Sequence, residues 1–329
     1  KIAPGHIPYV TSYYKKSWGF CLSKKQMKNL KPGEYDCYIN TFFKKGYLIN
    51  GLCELKGKSK KINLISSYLC HPSLANNELS GPLVMIGLYE KMKKWKKMNY
   101  TYQFLINPET IGSLCYLHSH FKKIKQNFNS GLVLTCLGGP KKKLTYKLSK
   151  SASSTLDRLF IRLSKKKKVL IRDFDAESGS DERQYNSPGF NLPVGNISKT
   201  VYGGYRYYHT SGDSKNFMKI DNIYKSINDL EKILKIHDEL LPIKRVMPYG
   251  EPMLSKRKLY SSIGTLDKNK LSQINLFKDK SFFKILMNIL SYADGKKNIL
   301  DICEIQSLDF KKSLKVLNIC IKKKLIKYE

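Results

Sequence analysis

Apolar runs and polar turns alternate along residues 59–244 in a pattern typical of successive strands and helices. The apolar run at 62–69 predicts a buried strand, and residues 81–97 begin like a buried helix and end in lysines. Apolar residues at helical spacing predict further helices around 156–163 and 223–234. Because strands and helices alternate in this way, we predict an α/β core with helices on both faces of a sheet.

The two ends of the chain carry different patterns. Residues 1–58 are rich in aromatic and β-branched side chains and contain turn signals, which predicts a small β domain. Residues 245–329 begin with a linker that contains proline and glycine and continue as short amphipathic helices that end in an apolar hairpin, a winged-helix pattern. We therefore predict three domains, with boundaries at 1–58, 59–244 and 245–329.

Composition limits the location and the partners. The chain has 60 basic and 26 acidic residues, but its lysines are spread along the whole length, as a compositional bias of the genome produces. The second predicted helix of the C-terminal domain offers lysines without residues that read bases, so we expect it to pack or to bind protein rather than nucleic acid. Eight scattered cysteines favour a reducing cytoplasm, and we expect Cys70 to lie in the core. No apolar run is long enough to predict a membrane span.

Residues capable of chemistry gather in four polar turns, two of which follow predicted strands. In open α/β sheets, ligands bind at the carboxyl ends of the strands. A histidine followed by oxygen ligands is what a zinc site requires, although each turn by itself also fits a capped helix or an ion pair. The four turns are 70–81, which contains His71, and 107–113, 179–185 and 207–213.

These motifs together resemble the co-catalytic zinc aminopeptidases. The resemblance is closest to a bacterial branch of aminopeptidase-like proteins with a small inserted β domain and a C-terminal winged helix. It implies a zinc-exopeptidase-like mixed sheet flanked by helices. The residues that carry it are His71 and the segments 75–81, 108–113 and 208–213.

The resemblance assigns roles residue by residue, with departures. His71 and His209 match zinc-binding histidines, whereas Asn77 falls where the family has an aspartate that bridges two metals. Glu109 is the general base, and it stands alone where the family has two adjacent acids. Thr135 or Cys136 takes the place of a further aspartate ligand, which Asp181 could replace from another loop. The set therefore predicts one zinc ion rather than two.

Three more residues receive predicted roles around substrate. Glu78 could supply the carboxylate that Asn77 lacks, and Asp181 or Glu182 could hold the free amino group of an exopeptidase substrate. Tyr208 could help to stabilise the oxyanion of the reaction.

Two functions from different classes remain. The first is a zinc-dependent, aminopeptidase-like hydrolase of amide bonds that acts on a peptide or a small amide-containing substrate. The second is a catalytically degenerate scaffold with a binding or regulatory role, which the Asn77 and Thr135 departures favour; a DNA-binding regulator is a weaker third. A homo-oligomer is a further expectation.

Overall fold

The computed structural model describes residues 4–11, 15–42, 44–259 and 281–329 of the chain. These residues form two compact units, Lys1–Lys235 and Ile236–Glu329. The first unit is built on a mixed sheet flanked by helices and the second is a winged helix, which confirms the predicted fold class.

The sheet of the first unit has seven strands in the order β1-β3-β2-β4-β7-β5-β6. Its four central strands, β3, β2, β4 and β7, are parallel, while β1 pairs antiparallel with β3 and β5 pairs antiparallel with β7. The strands are β1 (Gly51–Leu55), β2 (Ile62–Tyr68), β3 (Thr101–Asn107), β4 (Phe128–Leu134), β5 (Thr145–Lys147), β6 (Leu170–Arg172) and β7 (Val194–Ser198).

The helices α4 (Thr155–Lys165) and α6 (Ile220–Asp238) of this unit form where apolar residues recur at helical spacing, as the sequence predicts. Ser154 caps α4 through a reciprocal pair of hydrogen bonds with Asp157, which satisfies backbone N–H groups that the first turn leaves free. The helices are α1 (Lys24–Asn29), α2 (Ser80–Met92), α3 (Ile111–Asn127), α4 (Thr155–Lys165), α5 (Glu182–Tyr185) and α6 (Ile220–Asp238), and a π-helical turn, Ala75–Leu79, precedes α2.

The apolar core fixes which edge of the sheet carries chemistry. Every residue of β2 is buried, and Leu64, Leu105, Val133 and Val194 from the four parallel strands belong to one hydrophobic cluster. Burial on both faces is typical of parallel strands. Because these strands run the same way, the loops that follow them meet at one edge.

Gly81 lets α2 approach the sheet closely. A Cβ at this position would lie 2.3 Å from the Ser67 Oγ and 2.5 Å from the Leu134 carbonyl oxygen. Only glycine fits so close to backbone, so Gly81 fixes where the helix starts and thereby places the π-helical turn above β2 and β4.

The described residues before β1 lie mostly at the surface. Trp18, Tyr38 and Tyr47 are 73%, 83% and 97% exposed, and the strand within the described part of 1–58 is β1, which belongs to the main sheet. The separate β domain at 1–58 and the three-domain boundaries stay predictions.

Within its described residues, the second unit contains three α-helices, a 3-10 turn at Ser255–Arg257 and a two-stranded antiparallel sheet. Asn298 and Asp309 cap the second and third helices through their side-chain oxygens, and Ile285, Leu286 and Leu317 are buried in its core. Part of the predicted linker, residue 260, lies outside the described residues. The elements are β8 (Ile243–Arg245), α7 (Ser281–Tyr292), α8 (Ile299–Ile305), α9 (Phe310–Lys322) and β9 (Ile326–Tyr328).

Within the described residues, no helix combines the length and the apolar character that a membrane span requires.

Candidate metal centre

The loops after the parallel strands hold unusual backbone conformations. Ser73 after β2, Thr110 after β3 and Cys136 after β4 all have positive φ angles, and so does His209, beyond β7. Such conformations cost on the order of 1–3 kcal/mol each in residues other than glycine, and they cluster at functional sites. These four positive φ angles lie where the sequence places its candidate chemistry, although residues elsewhere, such as Ser307, also have them.

His71 is held from one side and open on the other. Its Nδ1 lies 2.8 Å from the Glu78 Oε2, and its Nε2 faces the Glu109 Oε2 at 3.6 Å. A carboxylate on one ring nitrogen fixes the tautomer and orients the other nitrogen toward a metal. Glu78 is buried and also accepts the backbone N–H of Cys70, so the structure places it behind His71.

His209 lies beside His71 although 138 residues separate them in sequence. The two imidazole centroids are 5.4 Å apart. The His209 Nε2 is buried and has no hydrogen-bond partner among the described residues. Tyr208 stacks on the His209 ring, with 4.0 Å between the ring centroids. The centroid of the Tyr9 ring lies 5.4 Å from that of His71 and 5.5 Å from that of His209.

Glu109 is positioned by the turn that follows Gly179. Its Oε1 accepts a 2.6 Å hydrogen bond from the Ser180 Oγ, which leaves Oε2 directed at His71. Asp181 holds the same loop, because its carboxylate accepts hydrogen bonds from the backbone N–H of Thr110 at 2.6 Å and from the side chains of Asn107 and Ser113. The Asp181 carboxylate is thus engaged by three donors.

Asn77 sits in the π-helical turn with one free atom. Its Nδ2 donates to the Tyr68 hydroxyl at 3.0 Å, while its Oδ1 is buried without a hydrogen-bond partner among the described residues. The carboxylate of Asp213 accepts the backbone N–H groups of Asn76 and Asn77 at 2.7 and 2.9 Å and thereby fixes the turn. The Thr135 Oγ1 bonds the Tyr68 hydroxyl at 2.6 Å.

Glu182 is fully buried and paired. It accepts hydrogen bonds from the Lys147 Nζ at 2.9 Å, from the Asn196 Nδ2 at 3.1 Å and from the backbone N–H of Ser180. Removing one partner of such a buried ion pair is strongly destabilising. The structure therefore gives Glu182 the surroundings of a structural anchor beneath the Ser180 turn.

Burial and nearby charges shift the pKa values of the two imidazoles in opposite directions and raise those of two acids. Burial lowers the pKa of His209, and the His71 charge lowers it further, to about 4. Burial opposes a charged His71, but hydrogen bonds to Cys70 and Glu78 and nearby charges raise its pKa to about 10. Burial raises the pKa of Glu109 and raises that of Asp181 to about 7.

The residues fit a metal ion. Two buried atoms that could bind a metal, the His209 Nε2 and the Asn77 Oδ1, have no hydrogen-bond partner among the described residues. The Nε2 of His71 faces the Glu109 carboxylate. Buried polar atoms without a partner are rare, and imidazole nitrogens with carboxylate oxygen are the donors of catalytic zinc sites. An imidazole centroid separation of 5.4 Å allows both rings to contact one ion at about 2.0–2.1 Å.

The expectation that Cys70 lies in the core is wrong. Cys70 is exposed, because β2 ends at Tyr68 and the alternation of faces that applies within a strand ends with it. Its Sγ lies 3.4 Å from the His71 Nδ1 and accepts the backbone N–H of Glu109 at 3.2 Å. Among the described residues, the potential ligand atoms of Cys70, His71 and Glu78 come within 4.8 Å of one another.

Several residues of the site carry no clear signal in the sequence. No motif in the sequence gives Ser180 or Tyr9 a role. The fold brings Ser180 to Glu109 and Tyr9 to the two imidazoles. Asp213 lies inside the predicted 207–213 motif, but its part in fixing the π-helical turn depends on a contact across 136 residues.

A cavity of about 580 Å³ opens beside His71. Its walls are largely apolar, and Leu69, Ser73, Leu74 and Lys215 are among the residues that line it. A cavity of this size accommodates a small organic molecule or part of a peptide.

A protein from Clostridium acetobutylicum is 32% identical to this chain over 308 residues. The aligned region covers 93% of this chain and 68% of that protein. That protein is named as a candidate polysaccharide biosynthesis protein with an aminopeptidase-like domain. A crystal structure of a candidate peptidase from the same organism has a TM-score of 0.80 at 30% identity and covers 99% of this chain and 71% of that one. A zinc aminopeptidase from Bacillus subtilis is more distant, at 16% identity, coverage of 57% and 49%, and a TM-score of 0.47; no function is carried over from it.

The fold and these relatives define the class: the chain is an aminopeptidase-like scaffold with a C-terminal winged helix. Residues 6–239 match the family described as a domain of unknown function, DUF4910, and residues 242–328 match the winged helix-turn-helix family. The first match spans most of the chain, so the chain belongs to the DUF4910 family.

Proposed function

We propose that this chain is a zinc-dependent hydrolase of amide bonds. The observation that carries the proposal is the position of the His71 ring: its Nε2 lies 3.6 Å from the Glu109 Oε2, and its centroid lies 5.4 Å from that of His209. The His209 Nε2 has no hydrogen-bond partner among the described residues. Bound zinc would lower the pKa of a water ligand from 15.7 toward about 7 and polarise the scissile carbonyl.

The residues of the chain divide the work. His71, His209 and the Asn77 Oδ1 would hold the metal, and Glu78 orients the His71 ring from behind. Glu109 accepts a proton from the attacking water and delivers it to the leaving amine nitrogen, as a positioned carboxylate does in general base catalysis. The water oxygen bonds to the carbonyl carbon as the carbon–nitrogen bond breaks. The raised pKa of Glu109 suits both transfers.

One zinc ion fits this set better than two. The place expected for a further aspartate holds Thr135, whose hydroxyl is bonded to Tyr68, and the carboxylates of Asp181 and Asp213 are occupied by three donors each. Asn77 brings oxygen without charge. We assign Asp181 the positioning of the Glu109 loop, in place of the metal-ligand role expected from the sequence.

Metal analysis and amide cleavage test the proposal together. We expect purified protein to retain about one zinc per chain and to release amines from a panel of amides, with loss of activity on chelation and recovery when zinc is added back. Absence of bound metal, together with no cleavage in the presence of added zinc, would contradict the proposal.

That negative result would favour the second function, a metal-poor scaffold that binds a ligand but does not hydrolyse amides. Asn77 in place of a carboxylate is the observation that supports it, because a neutral ligand weakens a divalent site. A cytoplasmic location, a homo-oligomer and a packing role for the winged helix, rather than binding of nucleic acid, are further proposals that gel filtration and salt-dependent DNA titration test.

A further inference from the structure

The carboxylates around the two imidazoles are already engaged, apart from Glu109. Glu78 accepts from His71 and Cys70, and Asp213 accepts from the π-helical turn and from the Tyr205 hydroxyl. Asp181 and Glu182 are held by three donors or more each. A substrate ammonium group needs a carboxylate with free acceptor capacity, and these four have their capacity directed into the protein.

A cation in the short helix that follows the Ser180 turn is in the opposite situation. Arg183 lies in α5, one turn after Ser180, and its backbone N–H donates to the Ser180 carbonyl. Its Nε is buried without a hydrogen-bond partner, and among the described residues its guanidinium has no ion-pair partner. The same turn carries the Ser180 hydroxyl that binds Glu109. The charge of Arg183 also acts on Tyr208, where it opposes the rise in pKa that burial causes.

A buried N–H without an acceptor costs roughly 1–3 kcal/mol, more when the group is charged. Such a cost is retained where a ligand supplies the acceptor. A planar carboxylate is the group that a guanidinium binds best, through two parallel hydrogen bonds.

We propose that the substrate carries a carboxylate on the amine side of the scissile amide and that Arg183 binds it. The substrate class is then an N-acyl amino acid or the carboxyl end of a peptide, rather than a free amino terminus. Hydrolysis adds water across the amide and yields a carboxylic acid and an amino acid; Glu109, joined to the Arg183 turn through Ser180, delivers the proton to the departing nitrogen. This inference rests on the proposed function for the reaction, but not for the binding.

Ligand binding to the zinc-loaded Glu109→Gln protein tests the binding of the carboxylate separately from the reaction. Titration calorimetry compares N-acetyl-L-leucine with its methyl ester, which has the same shape without the charge, and with leucine p-nitroanilide, which carries a free amine. We expect the acid to bind about 10–100-fold more tightly than either, the range for hydrogen bonds to a charged group. Arg183→Gln should remove the preference, and Arg183→Lys should retain part of it.

Arg206→Gln is the matched control, because Arg206 is an exposed arginine near His209 in sequence and its loss removes the same charge. It should keep the preference for the acid. Tighter binding of the ester or the free amine, no binding of any probe, or a preference that persists in a folded Arg183→Gln protein overturns the inference. Arg183-dependent binding of the acid without cleavage by the protein with Glu109 intact contradicts the proposed function alone.

Discussion

The candidate metal centre and the winged helix both place polar side chains at the ends of strands and helices, but they use them differently. In the winged helix, the side-chain oxygens of Asn298 and Asp309 accept hydrogen bonds from backbone N–H groups in the first turns of α8 and α9. At the metal centre, the His209 Nε2 and the Asn77 Oδ1 have no partner among the described residues. The first arrangement completes local hydrogen bonding, and the second leaves donor atoms for a ligand.

The backbone separates the two regions less clearly. Four residues other than glycine have positive φ angles at the metal centre, but Ser307 and Lys324 in the winged helix have them too. Capped helices indicate a part that folds and packs, even though the buried Ser313 Oγ of α9 has no hydrogen-bond partner among the described residues. Unpaired ligand atoms of imidazole and amide type near engaged acids indicate a part that binds.

The largest expected effect tests whether the candidate metal centre catalyses amide hydrolysis. Glu109→Gln should lower amide hydrolysis by about 10²–10⁴-fold while zinc content stays unchanged, because the amide cannot accept a proton. Steady-state kinetics and metal analysis measure both. Ser164→Ala, remote in sequence and bonded only to its own helix, should retain full activity. Full hydrolysis by the Glu109 variant would rule out the general base role.

The second effect concerns a buried titratable group of the C-terminal unit, His237. Burial lowers its pKa to about 4, against an ordinary value of 6.5. The folded state therefore binds fewer protons than the unfolded state, so this contribution to stability is complete above pH 6.5 and is lost as the pH falls toward 4. Between pH 7 and 4 the wild type should lose about 3 kcal/mol more than His237→Gln.

Urea unfolding at each pH measures this difference for the chelated protein. His118→Gln is the control, because His118 is exposed and its variant should follow the wild type. An identical pH dependence in wild type and His237→Gln would show that His237 is not kept neutral by burial.

The third effect tests the orientation of His71. Glu78→Gln should weaken zinc binding by about 10–100-fold, because partners behind a metal histidine contribute that much to affinity. Competition with a chromophoric chelator measures it. Glu90→Gln, an exposed acid on α2 paired with Lys93, should leave the affinity unchanged. Unchanged affinity in the Glu78 variant would mean that His71 is oriented without its carboxylate.

The smallest effect is expected in the winged helix. Asn298→Ala should reduce the free energy of unfolding by about 1 kcal/mol, because two backbone N–H groups lose their acceptor. Asn318→Ala, on the exposed face of α9, should have no effect or a slightly stabilising one. Amide hydrolysis should be the same in both variants, and a loss of activity with Asn298→Ala would remove the distinction between the two regions.

Periodicity in the sequence was sufficient for the elements that bury an apolar face. The run at 62–69 gave β2, and the helical spacing from Leu156 gave α4, because burial of side chains on one face follows directly from spacing. The position of His71 and Glu109 after strands also predicted that they share an edge of the sheet. For Cys70 the same rule failed, since it lies beyond the end of the strand.

The sequence alone determined the alternating core, the winged helix and the residue types available for chemistry, because each depends on neighbours within a few turns. Only the tertiary structure decided which acids remain free. Glu78, Asp181 and Glu182 have the same charge in the sequence, but contacts across as many as 74 residues engage their oxygens and leave Glu109 directed at His71. Long-range hydrogen bonds, which no local pattern encodes, separate the positioning carboxylates from the one that faces the candidate metal.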